Sequence, residues 1–437
     1  MYLKQLHISN FRCFHDYTIE FAPRVTVLFG KNGSGKSTLI HAIHKAMSFI
    51  FKNDTKNSDA LNLSGGFDNL KLRNFSSRDD AERNWDTGML YPFININAKA
   101  EMFGMDMTWD FYASTSTFKV QTSKFSEAYS KFMDLVKETD KWPLLTYFSD
   151  SFPHVSTKAS RLTKTQLSLR NLGYLGWDEE TAYSDLWITR LTKTLAQRSI
   201  AAYSKMQDAL DKEVNEITGC LARFSKGDPN CEVKGVFVSP YEEEGLCLET
   251  ADGMNLSFEK LPAGYKRLFY MVLDIAYRSF ILSKGQSTDI PGLVIIDEID
   301  LHLHPELEQA VLGRLIKTFP SVQFVVSTHS PLVLAGIETR DGKNSIQKMA
   351  TPGESPEKLE KNIYGIDYNQ TLEESMGVSK RKPEIQELFD KAWTAVATKD
   401  TAKAKNIVAE LEQQTAPDQI ELVKLRAIIS RIEMIGL

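Results

Sequence analysis

Three short stretches of the chain are apolar almost without interruption: Val25-Thr26-Val27-Leu28-Phe29, Leu293-Val294-Ile295-Ile296 and Phe324-Val325-Val326-Ser327. Runs of this length without polar alternation predict strands covered on both faces, as in a parallel sheet between layers of helices. Leu3, Leu6 and Ile8, then Ile19 and Phe21, predict two more strands around Asn10-Phe11-Arg12. Residues 93–96, 108–112, 233–238 and 245–249 also read as strands, with Asp252-Gly253 as a turn between the last two. Helical spacing marks residues 38–51, 122–140, 178–224 and 265–282, and a further helix between the last two buried strands. Residues 53–90 are polar, with Asn, Asp, Ser and Gly clusters and no sustained period, which predicts a long loop or insertion.

The pattern changes after about residue 355. Ile385, Leu388, Phe389, Ala392, Trp393 and Val396 recur at helical spacing and give residues 383–397 one apolar face. Residues 401–414 and 418–434 repeat that pattern, which predicts a small helical tail with Lys and Glu on its outside. The fold class is therefore α/β with helical additions.

The first buried run leads directly into Gly30-Lys31-Asn32-Gly33-Ser34-Gly35-Lys36-Ser37, a full match to G-x-x-x-x-G-K-[ST] between a strand and a helix. Glycines let a backbone wrap phosphates, and the helix N-terminus adds positive potential. Asn32, Gly33, Ser34, Gly35, Lys36, Ser37 and Thr38 are the candidate ATP-binding residues, with Lys36 reaching the β- and γ-phosphates and Ser37 ligating Mg²⁺. The second buried run ends in Asp297-Glu298. Asp297 is placed to hold the hydrated Mg²⁺ and Glu298 to activate the attacking water. Alone, four apolar residues before Asp-Glu describe any strand ending in a solvated turn; the glycine loop makes the functional reading the stronger one.

At 437 residues the chain exceeds what one core usually supports, and its 42% hydrophobic and 25% charged residues are ordinary for a globular protein. A net charge of -5 excludes a uniformly basic surface, so any nucleic-acid contact needs a local patch. Residues 156–176 carry Lys158, Arg161, Lys164 and Arg170 with no acidic residue, which reads as a solvated loop or as such a patch. Cys13, Cys220, Cys231 and Cys247 form no CxxC pair, as expected of reduced thiols. The chain starts in a strand pattern without a signal peptide, and no apolar run approaches the roughly 20 residues of a membrane span. A cytoplasmic protein with no membrane partner is expected.

Beyond the two Walker motifs the sequence resembles the ABC-type ATPases of the SMC, RecF and Rad50 group. Leu6-x-Ile8-x-Asn10-Phe11-Arg12-Cys13-Phe14 is similar to their entry strand, Asp297 to Pro305 to their Walker B and D-loop, and Ser327-Thr328-His329-Ser330-Pro331 to their switch-histidine loop. The resemblance implies that His329 contacts the γ-phosphate and that Arg12 approaches the nucleotide. It aligns the signature motif with Leu261-Pro262-Ala263-Gly264-Tyr265-Lys266-Arg267, where Pro262 stands in place of a serine. Gly264 and Lys266 remain to act in trans on a second chain's nucleotide, and slow turnover is expected because Pro262 has no hydroxyl and no N–H. No Q-loop glutamine is identifiable. The implied architecture is an SMC/Rad50-head-like ATPase: residues 1–120 an N-terminal lobe, 121–230 a helical insertion, 231–350 the signature, Walker B and switch part, and 351–437 a helical region for partner docking.

IDEIDLHLHP and STHSP are shared with the OLD-type ATPases, yet no Asp-x-Asp cluster follows His329, so no nuclease of its own is expected. The segments 261–268, 274–278, 364–369 and 372–377 resemble the PtuA family, the ATPases of Septu antiphage systems. The ABC-type resemblance implies a homodimer at minimum; a higher oligomer is expected, although its size is not read from the residues. The PtuA resemblance implies a separate HNH nuclease (PtuB-like). In some systems it also implies a retron reverse transcriptase with its DNA product. A RecF- or Rad50-like repair ATPase that binds DNA is the alternative, and a nuclease with an unrecognised active site is a third reading.

Overall fold

Tyr2–Phe11 (β1) and Phe14–Glu20 (β2) form an antiparallel hairpin in which Phe11 faces Phe14. Asn10 and Arg12 hold φ values of 57° and 53°, which is how the chain reverses so tightly. The computed structural model describes residues 1–52, 63, 70–76, 80–84, 87–150, 152, 162–177, 184–198, 200, 206–240, 245–349, 353–360, 362–366, 370–371, 381–416 and 419–435. Two compact units emerge, Met1–Gly365 and Ile366–Leu437.

In the first unit, Val25–Phe29 (β3) runs into the glycine loop, and Lys36–Met47 (α1) follows it. The helix buries Leu39, Ile40, Ile43, Ala46 and Met47, the residues that its 3.6-residue period brings to one side. Phe93–Met102 (β4) and Met105–Ser114 (β5) complete a four-stranded antiparallel sheet in the order β2-β1-β4-β5. Trp109 fixes that sheet to the helix: its Nε1 donates to the Ala46 carbonyl at 3.1 Å, and its ring lies 4.4 Å from Phe49.

Ser126–Thr139 (α2) leads to Leu144–Phe148 (β6), then Lys164–Ser168 (α3), Ser184–Arg198 (α4) and Gln207–Ser225 (α5). Val233–Val238 (β7), Leu246–Thr250 (β8) and Asn255–Ser257 (β9) make a small antiparallel sheet; Asp252-Gly253 follows both predicted strands rather than separating them, and joins β8 to β9. Ala263–Leu282 (α6) is buried on nearly all sides, as its apolar residues all round require. Gly292–Ile296 (β10), Pro305–Thr318 (α7), Val322–Thr328 (β11), Pro331–Ala335 (α8), Asn344–Lys348 (β12) and Glu357–Lys358 (β13) complete the unit.

The central sheet has the order β13-β12-β3-β11-β10-β6, parallel except for β13. Gln323 clips the two larger sheets together: its Nε2 donates to the Leu3 and Ala22 carbonyls at 2.9 Å each, and its Oε1 accepts from the Leu3 N–H at 2.8 Å.

Two boundaries need correction. Residues 121–230 are not wholly a helical insertion, because Leu144–Phe148 is buried throughout and pairs with β10 as a strand of the central sheet. The tail does not begin at 351, because Glu357–Lys358 still pairs with β12 in the first unit, and the compact units part after Gly365. Residues 178–183 of the predicted 178–224 helix, most of the 53–69 stretch, and Lys158 and Arg161 of the basic stretch lie outside the described residues.

Beneath the sheet lies a buried ion pair. Arg278 donates to both oxygens of Asp274, through Nη2 at 3.1 Å and through Nε, and Nη1 reaches the Gly173 carbonyl at 2.9 Å. Trp187 of α4 donates to Asp274 at 2.6 Å, and Thr146 of β6 at 3.3 Å. Removing one partner of such a pair typically costs about 3–5 kcal/mol, because the other charge is left buried.

The second unit contains Pro383–Ala397, Thr401–Gln414 and Ile420–Ile435. Its core is Phe389, Ala392, Ala395, Ala404, Val408, Leu411, Leu422, Leu425 and Ile429, the apolar faces that the spacing predicts. Glu421 ties the first helix to the third, accepting from Trp393 Nε1 at 2.8 Å and from Arg381 at 2.5 Å.

Candidate active site

β3, β11 and β10 lie side by side and parallel, so Gly30, His329 and Asp297 all leave the sheet at its carboxyl edge. That edge is where open α/β sheets bind ligands. The glycine loop begins pressed against the neighbouring strand: a Cβ on Gly30 would sit 2.1 Å from the Met349 carbonyl. Gly33, at φ 80°, faces open space. Gly35, at φ 97°, caps α1 in a left-handed conformation, and a Cβ there would meet Phe14 Cζ at 2.9 Å and Cys13 Sγ at 3.2 Å.

Gly35→Ala is accordingly expected to cost about 1–2 kcal/mol from the left-handed backbone alone, with weaker nucleotide binding as the loop shifts off Phe14. Urea unfolding and nucleotide titration measure the two effects; parental values in both would refute this account of the loop.

Lys36 is buried at the start of α1, and its Nζ donates to the Gly30 and Lys31 carbonyls at 2.9 and 3.1 Å. Burial pulls its ammonium below the usual lysine range, while Asp297, Glu298 and Asp300 push the other way. Asn32 and Ser37 are exposed at the loop's surface. Ser34 is buried, and its hydroxyl has no partner among the described residues. Thr38 pairs with the Cys13 thiol, which burial raises above its usual range.

The neighbouring edge at Asp297-Glu298 and His329 is held by serine and threonine hydroxyls. Ser327 at the end of β11 donates to Asp297 Oδ1, accepts from the Glu298 N–H at 2.8 Å, and takes the Ile299 N–H on its carbonyl at 3.0 Å. Asp297 is itself buried, and its N–H donates to the Phe148 carbonyl at 2.8 Å. Asp300 accepts from Thr328 Oγ1 at 2.6 Å and from the His329 N–H at 3.2 Å, which couples the Walker B turn to the switch loop. His329 is half-buried. Glu298 has a φ of 51° and His302 one of 64°. Non-glycine residues hold such angles at a cost of about 1–3 kcal/mol each, commonly at functional sites.

The two halves suit ATP with Mg²⁺. A hydroxyl (Ser37) and a carboxylate (Asp297) are oxygen donors of the kind magnesium takes alongside phosphates. Among the described residues no cluster of three or more His, Cys, Asp or Glu forms a metal cage, and a phosphate-bound magnesium needs none.

The remaining predicted residues have partners within this chain. Arg12 donates through Nε to Asp80 Oδ1 at 3.2 Å, and its N–H reaches the Asp80 carbonyl at 3.0 Å. Lys45 adds a second cation to the same buried carboxylate at 3.1 Å. Lys266 pairs with Glu259, and Tyr265 donates to Asp228 at 2.8 Å. Gly264 is packed tightly, since a Cβ would lie 2.7 Å from the His302 carbonyl. The sequence reading missed Ser327, Thr328 and Asp300 as organisers of the site. A hydroxyl pair directly before His329 and an acidic residue two after Glu298 are the only local signals for them.

Two family models match this chain, an AAA domain over residues 5–218 and an AAA ATPase domain over residues 157–334. By these matches the chain is similar to the AAA-type P-loop ATPases. Among relatives of this ATPase is the retron Ec83 probable ATPase of Escherichia coli, 24% identical, with 98% of this chain and 86% of that protein covered. The Septu protein PtuA of Bacillus mycoides is 30% identical over 31% of this chain and 19% of its own length. A DNA replication and repair protein RecF of Clostridium botulinum (strain ATCC 19397 / Type A) is 30% identical over 20% of this chain and 23% of its own. Among solved structures, an SMC head domain from Thermotoga maritima is 16% identical with a TM-score of 0.43, covering 82% of this chain and 98% of that one. No helix among the described residues of the ATPase is long and apolar enough to cross a membrane.

Proposed function

We propose that this ATPase is the nucleotide-dependent subunit of an antiphage defence complex, controlling a separate HNH nuclease. Similarity to a retron ATPase along 98% of the chain carries this reading, with the PtuA match beside it. Two copies would sandwich two nucleotides, as the resemblance to ABC-type ATPases implies.

Within each copy, Lys36 binds the phosphates and the glycine loop wraps them with N–H groups. Mg²⁺ held by Ser37 and Asp297 supplies neutralisation of the phosphate charge when bound. Glu298 orients a water for attack and takes up its proton. His329 senses the γ-phosphate from the switch loop, and Gly264 presents backbone donors to the other copy's nucleotide. The engagement of Lys266 by Glu259 and the absence of a hydroxyl at Pro262 favour slow turnover. The helical unit from Ile366 offers a separate body for partner docking.

Purification of a tagged chain with the products of its neighbouring genes tests the reading. An HNH nuclease is expected to co-elute in fixed proportion, and a preparation without one removes the nuclease-control function. RecF-like DNA repair is the second reading, favoured by similarity over about a fifth of the chain. It requires ATP-dependent, salt-sensitive binding to gapped DNA by the ATPase alone.

A further inference from the structure

Arg267 is the most deeply buried cation near the site, at 1% exposure. Among the described residues no carboxylate forms an ion pair with it. Nη1 donates to the carbonyls of Glu298 and Leu301, both at 2.9 Å, and Nη2 reaches the Asp297 carbonyl at 3.4 Å. Its Nε has no acceptor. Burial pulls the guanidinium down to about 10, although Asp300, Glu298, Asp150 and Asp297 all favour its charge. A cation kept this deep without a paired anion is costly, and its three hydrogen bonds all go to one stretch of backbone.

That turn carries the two left-handed residues, Glu298 and His302. Gly264 and Arg267 lie in the first two turns of α6, and both meet the same segment: Gly264 at the His302 carbonyl, Arg267 at three carbonyls before it. A planar fork can bridge carbonyls that a single ammonium cannot.

We propose that Arg267 is a positioning residue that holds the Asp297–Leu301 backbone in the conformation that aims Glu298, so that the start of α6 and the catalytic turn move as one body. This rests on Glu298 being the residue that activates water. Hydrolysis then depends on where the α6 N-terminus sits, and the ATPase rate reports on whatever docks there.

Arg267→Lys and Arg267→Met test this by separating binding from rate. ATP affinity is expected to stay near the parental value, because neither variant touches the phosphate loop. The kcat is expected to fall roughly 100-fold, the usual cost of misplacing a reacting group by about 1 Å. In a Glu298→Gln background, Arg267→Met is expected to add no further loss in single-turnover rate, since groups acting through one another are not additive. Should Arg267→Met fail to fold, Arg267→Lys keeps charge and bulk and carries the test alone. A parental kcat in Arg267→Lys, or losses that multiply with Glu298→Gln, overturns the proposal. An Arg267 variant at the parental rate beside an inactive Glu298→Gln removes this proposal alone. A Glu298→Gln variant at the parental rate removes the Glu298 assignment and this proposal with it.

Discussion

Lys36→Ala is expected to lose ATP binding by roughly 100-fold or more, since charge-assisted hydrogen bonds contribute about 1.5–3 kcal/mol each and Lys36 is proposed to make them to two phosphates. The side chain is already held in place by the Gly30 and Lys31 carbonyls, so little ordering is needed when phosphate arrives. Alanine removes both the charge and that tether while leaving the start of α1 helical. Titration with a fluorescent ATP analogue reads the loss, and binding as tight as the parent's would disprove the phosphate-loop assignment. A pH dependence accompanies this. Burial lowers the Lys36 ammonium relative to an exposed lysine. The charged form that would bind phosphate is therefore lost as pH rises, sooner than for an exposed lysine. Affinity should accordingly weaken on the alkaline side, and Lys36→Ala should lack that alkaline fall.

Glu298→Gln is expected to lower the hydrolysis rate about 10²- to 10⁴-fold, the span that positioned acid–base groups contribute, with ATP still bound. The amide keeps the shape of the carboxyl, and the Glu298 N–H stays on Ser327. ATP should then persist on the protein, and the nucleotide-bound dimer should accumulate on gel filtration with light scattering. Hydrolysis at the parental rate would mean that another group activates the water. The pair of variants separates binding from chemistry: Lys36→Ala fails at the first step and Glu298→Gln at the second.

How much of this was readable in the residues differs from element to element. Val25–Phe29, Gly292–Ile296 and Val322–Thr328 are apolar runs because both faces are covered, and such runs are visible without partners. Leu144–Phe148 is equally buried but was absorbed into its helical surroundings. Asn344–Lys348 escaped because it carries buried polar side chains: Asn344 donates to the nearby Glu338 carbonyl at 2.7 Å, and Gln347 to the Glu20 carbonyl, 327 residues away, at 3.3 Å. The glycine loop and the Asp297-Glu298 strand end stood out since their spacing is local. The partners of Arg12 and Arg267 were not, because Asp80 lies 68 residues from Arg12, and Arg267 reads main-chain carbonyls that any residue type supplies. The amphipathic tail was legible in full outline, its three faces closing on each other as the period demands.

The Gln323 clip has a consequence for biosynthesis. Leu3 and Gln323 are 320 residues apart in the chain, and Thr26 meets Ser345 across 319. At about 5–20 residues per second on the ribosome, the glycine loop waits roughly 15–65 s after synthesis for the strands that flank it. During that interval β3 presents two unpaired apolar faces and an open edge. Its exposure on the ribosome, rather than any weakness in the finished sheet, is where aggregation of the nascent chain would begin.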